Sequence, residues 1–140
     1  MAEPSHKSDT VVLRAPRGQS SLPLLRVVLA GMASRHALSV DRLDDLQLAV
    51  ETLFREEPIA GEDLTLTVAR EDETLKVTLG GLCSPLVRRI LSGPSVSSET
   101  EKFAAPGILR MIMDRLVDGY RMAQGACAAS FTVEMDKRIR

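Results

Sequence analysis

LDDLQLAVETLFREE, Leu43 to Glu57, is the most strongly patterned stretch of the chain, and its reading decides the fold class. Wound as a helix, it brings Leu43, Leu46, Val50, Leu53 and Phe54 onto one apolar stripe at three- and four-residue steps. Asp44, Asp45, Gln47, Glu51 and Arg55 fall mostly on the other side. Ser39 and Asp41 can each accept a hydrogen bond from the free amides of the first turn. The acidic residues there suit the positive end of the helix dipole, and Pro58 prevents continuation. The stretch is expected to be a core helix of an α/β domain.

Working outward, Thr10–Ala15 is a β-branched run stopped by Pro16 and Gly18, which predicts a first strand. Ser20 and Ser21 precede Leu22-Pro23, so a serine-capped helix is expected from there to about His36. Leu22, Leu25, Val28, Leu29 and Met32 form its apolar face. After the central helix, Leu64, Leu66 and Val68 alternate with threonines, as do Leu75, Val77 and Leu79 with Thr74, Lys76 and Thr78. Joined by a short polar link and ended by Gly80-Gly81, they predict an antiparallel hairpin with one buried face. Ser84-Pro85 opens a short helix through Leu91, and Ser92–Lys102 is expected to be a surface loop. Ile108, Met111, Ile112 and Leu116 mark another helix after Pro106-Gly107. Tyr120–Ala123 and Ala126–Met135 read as closing strands, with Ala129, Phe131, Val133 and Met135 inward. The order β-α-α-β-β-α-α-β-β predicts a two-layer α/β sandwich, mostly antiparallel, with helices on one face.

A chain of 140 residues fits one domain over residues 9–140, preceded by a flexible tail at 1–8. A formal net charge of −1 gives no electrostatic reason to expect nucleic acid or an anionic membrane as partner. The N-terminus has no apolar signal-peptide core, and no apolar run approaches the roughly 20 residues of a membrane span, so a cytoplasmic location is expected. Aromatic residues are only 3% and Trp is absent, which argues against stacking platforms for bases or sugars. Cys83 and Cys127 lack the spacing of a metal or redox motif and are expected as buried thiols. His6 and His36 have no partners in sequence and are expected to face solvent.

With these elements in place, DDLQLAVET and GILRMIMDRLVDGY, together with the element order, resemble the anti-sigma-factor serine-protein kinases. These belong to the histidine-kinase-like ATPase superfamily, and the likeness spans residues 10–136. It implies a sandwich of the histidine-kinase-like ATPase type and a bacterial regulator of transcription. In that family a glutamate acts as general base, an asparagine holds magnesium, an aspartate reads adenine, and a glycine-rich box faces the phosphates. Each position is degenerate here. The base falls on Thr52, or on Glu51 after a one-residue slip, and the asparagine on Glu56 or Arg55; the chain contains no asparagine. Gly81 stands where the adenine-reading acid should be. Gly107 matches the first glycine of the last box, but Leu109 replaces the second. The resemblance thus implies a catalytically eroded member, with ATP and magnesium lost or bound very weakly and no other metal.

What the resemblance retains is its partner-facing helix. Leu25–Ala30, LRVVLA, resembles the family's pattern at the sigma-factor contact and places Arg26 at the contacting arginine; an ordinary solvated arginine is the other reading. The expected function is stoichiometric protein binding, to a sigma factor or an anti-sigma antagonist, by a homodimer that pairs through its first strand and helix. The alternatives are an active kinase with unusual ligands and a pseudo-ATPase adaptor that binds another small molecule. For the eroded boxes the expected outcome is that calorimetry with ATP and magnesium detects no binding tighter than about 100 μM, roughly −5.5 kcal/mol.

Overall fold

The computed structural model describes residues 9–92, 105–127 and 129–140. The tail expected at residues 1–8, and residues 93–102 of the expected loop with any lid they form, lie outside the described residues. Among the described residues the helices and strands are, in order, β1 (Thr10–Ala15), α1 (Leu22–Arg35), α2 (Val40–Arg55), β2 (Leu64–Glu71), β3 (Thr74–Leu82), α3 (Pro85–Ser92), α4 (Ala105–Leu116), β4 (Gly119–Gln124) and β5 (Phe131–Arg138). The order is the one expected from the sequence, with a short 3-10 turn at Gln19–Ser21 leading into α1.

The strands form one antiparallel sheet in the order β1-β2-β3-β5-β4, so β1 and β4 are its edges. Period-two alternation sends Leu64, Leu66, Val68, Leu75, Val77, Leu79, Phe131, Val133 and Met135 to one face, where all are buried. The threonines between them remain half-buried on the other face. Leu25 and Leu29 of α1, Leu46, Val50 and Leu53 of α2, and Met113 of α4 close the core over the apolar face. Each such side chain contributes about 1.5–3 kcal/mol relative to exposure. The result is a two-layer α/β fold.

Several local expectations are corrected by packing. Ser39, not Asp41, caps α2, its Oγ accepting from Arg42 N at 3.2 Å. Ser21 does not cap α1; its hydroxyl donates to Pro16 O at 2.7 Å. β3 runs through Gly80 and Gly81 to Leu82, because Gly81 at φ 86 absorbs a register shift against β5. In α4 Leu109 and Met113 are buried, while Ile108 and Met111 are exposed. Both sides of ILRMIM are apolar, so periodicity alone cannot choose, and packing against α2 and α3 turns the Leu109 side inward. Ala129 precedes β5 and is exposed. Lys137 is instead buried on the inner face of β5, where its Nζ donates to Leu116 O at 2.6 Å and lies 3.3 Å from Asp45 Oδ2.

The α1–α2 turn carries a testable strain. Leu38 N bonds to Ala33 O at 2.9 Å and Ala37 N to Ser34 O at 3.4 Å, which is the paired closure of a helix whose next residue is left-handed. That residue is Ala37, at φ 61, where its Cβ is unfavourable and glycine is the usual choice. Ala37 is exposed, so nothing else depends on its methyl group. Ala37→Gly is expected to raise stability by about 0.5–1 kcal/mol, read as a higher urea midpoint at unchanged slope.

Candidate functional site

The helix that organised the sequence also organises the surface. Glu51 was expected to turn outward, yet it is only 4% exposed and lies between α2 and α1. Its carboxylate receives a two-pronged contact from Arg26 of α1, Nε to Oε2 at 2.5 Å and Nη2 to Oε1 at 2.9 Å. Arg55, one turn further along α2, approaches Oε1 more loosely at 3.7 Å. The Arg26 hydrogen bonds hold the Glu51 carboxyl below its ordinary range against the opposing effect of burial, with the charges of Arg26 and Arg55 adding to the shift. Arg26 is therefore neither a free surface cation nor buried: its side chain is 56% exposed, with the guanidinium plane fixed against Glu51. Gln47 secures the same crossing by donating to Arg26 O at 3.2 Å.

The positions implied for nucleotide chemistry are otherwise engaged. Thr52 Oγ1 donates to Leu48 O at 2.7 Å within its own helix. Glu56 is exposed at the C-cap of α2. The Gly81 carbonyl accepts from Arg17 Nη2 at 2.7 Å. Gly107 lies inside α4 rather than before it, and Leu109 is a core residue.

Arg17 is the residue that sequence reasoning missed. It is buried between β1 and α1, and it donates to Glu57 Oε1 at 2.6 Å, to Glu62 O at 2.8 Å and to Gly81 O. Glu57 accepts in turn from Cys83 N at 2.8 Å and Ser84 N at 2.9 Å, so both charges are matched by several hydrogen bonds. No local pattern marks the pair, because its partners are 40 to 64 residues apart. Cys83 is half-buried beside it, and burial, helped by the Glu57 charge, pushes its thiol pKa up. Cys127 is exposed, so the expectation of two buried thiols fails there; both are free.

His36 is also corrected: it is buried, not solvent-facing. Its Nε2 lies 2.7 Å from Asp9 Oδ2 and its Nδ1 is 3.4 Å from Arg70 Nη1. These three residues, with Asp72 and Glu73, line a cleft of about 420 Å³ at the far end of the hairpin. Among the described residues no group of histidines, cysteines and carboxylates is placed to hold a metal ion. No helix among them is long and apolar enough to cross a membrane.

By sequence the chain matches no known family model and no curated protein. By structure it is similar to a chain in the crystal structure of the SiaB–SiaC complex from Pseudomonas aeruginosa. The TM-score is 0.61 at 14% identity, over 90% of this chain and 88% of that one. The likeness is one of fold. It overturns the resemblance to the anti-sigma-factor serine-protein kinases, and with it the assignment to the histidine-kinase-like ATPase type. DDLQLAVET and GILRMIMDRLVDGY carried that resemblance through an amphipathic spacing that many unrelated core helices share. In this chain Gln47 and Glu51 of the first segment serve the contact with Arg26, while Leu46, Val50, Leu109 and Met113 go to the core.

The lowered Glu51 carboxyl gives a pH dependence. On acidification the unfolded chain takes up the proton first, near the ordinary glutamate value of about 4.3, so the stabilisation is complete above that range and disappears as pH falls toward the folded value. Glu51→Gln is expected to flatten the acid side of the stability–pH curve, followed by urea unfolding between about pH 2 and 6. An unchanged acid slope would show that the contact contributes nothing in solution.

Proposed function

We propose that the protein is a regulator that works by stoichiometric binding of another protein through the outer surface of α1 and α2. The observation that carries this is a rigid, half-exposed arginine on a helix pair that also exposes aliphatic residues. Leu24 and Val27 of α1 are 50% and 68% exposed, and Leu48 of α2 is 46% exposed beside the Gln47–Arg26 crossing. A fork-shaped cation held in one orientation, on a surface that also offers aliphatic groups, has the composition of an interface, and it loses little entropy when a partner carboxylate arrives. The solved chain of similar fold lies in a complex of two proteins, which supports the same reading. A sigma factor as partner rested on the overturned resemblance. The chemistry of the surface asks instead for a partner that presents a carboxylate next to apolar side chains.

A second copy is also a partner in this reading. β1 is an edge strand whose Val11 and Val12 are 38% and 60% exposed, and pairing with a symmetry mate would satisfy its open backbone edge. Light scattering at about tens of micromolar is expected to give twice the 15.2 kDa chain mass, falling to one chain for Val12→Lys.

The partner is to be recovered with the full chain as bait and quantified as a purified pair. Val27→Asp should weaken the complex at least about tenfold. Arg26→Lys, which keeps the charge and loses the fork, should weaken it several-fold; Val27→Asp should leave the melting temperature unchanged, and Arg26→Lys should remain folded at the assay temperature. Affinities within about twofold of wild type for both variants would place the contact elsewhere.

A further inference from the structure

The structure assigns a receiving cleft to this protein: the hollow between the β1–α1 turn and the C-terminal turn of α2 seats an apolar side chain of the partner, with an adjoining partner carboxylate held by Arg55. The inference rests on the protein-binding reading above and names the part of the partner that is recognised.

The hollow has a volume of about 580 Å³, within the roughly 300–1,000 Å³ typical of ligand pockets. Gly18, Gln19, Phe54, Pro58 and Ile59 are among the residues that line it. Ile59 is 79% exposed, the most exposed large apolar side chain among the described residues, and it stands at the rim of a concavity rather than alone on a convex surface. That combination leaves apolar area for a partner to cover.

The charge at the rim selects the partner's chemistry. Glu57 lines the hollow, but its carboxylate is fully engaged by Arg17 and by the Cys83 and Ser84 amides, so it presents no free acceptor. Arg55 lines it too. Its contact with Glu51, at 3.7 Å, is longer than a hydrogen bond, because Arg26 already takes both Glu51 oxygens. Two guanidinium groups thus share one carboxylate, which leaves the Arg55 donors open to an incoming carboxylate. Arg55 also joins the hollow to the Arg26 surface, so one partner can cover both.

N-acetyl-L-leucine, an isobutyl side chain beside a carboxylate, is the probe, and N-acetyl-L-leucinamide lacks the charge. Both are titrated into the ¹⁵N-labelled full chain. The acid is expected to give saturable shifts at the amides of Gly18, Gln19 and Ile59 with a dissociation constant on the order of millimolar, and the amide to bind at least about threefold more weakly. Arg55→Gln should bring the acid down to the level of the amide, and Ile59→Ser should weaken both probes. No saturable shift at these positions overturns the cleft; equal binding of acid and amide overturns the role of Arg55. In the purified complex Ile59→Asp should lower partner affinity at least about tenfold with an unchanged melting temperature. A partner bound equally well by Ile59→Asp, with no probe in the hollow, overturns the cleft and leaves the protein-binding reading standing. A probe that binds as expected while no protein partner is recovered overturns the partner and makes the hollow a small-molecule site.

Discussion

The buried pair of Arg17 and Glu57 is the interaction on which the rest of this structure depends. It joins the β1–α1 turn to the segment after α2, and through Gly81, Cys83 and Ser84 it takes in the end of β3 and the start of α3. Desolvating two charges is costly, and a pair of this kind is not in itself a source of net stability; removing one partner costs about 3–5 kcal/mol because the other is left buried and alone. Its contribution is geometric. Four chain segments meet at one end of the fold in an arrangement that satisfies both groups. At the opposite end Lys137 has a similar place, tying the last carbonyl of α4 and Asp45 of α2 to the inner face of β5.

Held at both ends, the helix layer is a firm base for its outer surface. Glu51 sits in the seam between α1 and α2 and is reached by arginines from both helices. The nearer arginine satisfies the carboxylate and is fixed by it, and the farther one is left with spare donors. A cation immobilised in this way differs from a solvated one: its rotamer entropy is already lost before a partner arrives. Leu24, Val27 and Leu48, exposed on the same two helices, contribute nothing to the buried core.

The overturned family resemblance has a physical lesson. An apolar stripe at three- and four-residue steps, with acids near the start of the helix and an arginine near its end, is what any helix needs to pack on a sheet in water. Two such segments in the right order describe an architecture and not an ancestry. The residues that would have made the difference, an asparagine one turn after an acid and an aspartate after the hairpin, are not in the chain. Where they would stand, the structure has a helix C-cap at Glu56 and a carbonyl turned to Arg17 at Gly81.

The sequence by itself determined the two-layer architecture. The period-two runs in β2, β3 and β5 and the stripes of α1 and α2 each specify an inner face, and these local signals agree with one another. Where a segment is apolar on both sides the signal fails, as in α4, and only packing decided that Leu109 and Met113 go in. The polar network was hidden for a different reason. Arg17, Glu51, Glu57, His36 and Lys137 are ordinary charged or polar letters whose meaning depends on partners that are distant in the chain, such as Gly81 for Arg17 and Asp45 for Lys137. Burying a charge is tolerable only where such partners converge, and convergence is a property of the folded chain. The sequence could therefore name Arg26 as a candidate contact, but the tertiary structure alone showed that Glu51 holds it, that Arg55 is left partly free, and that a cleft opens beside them.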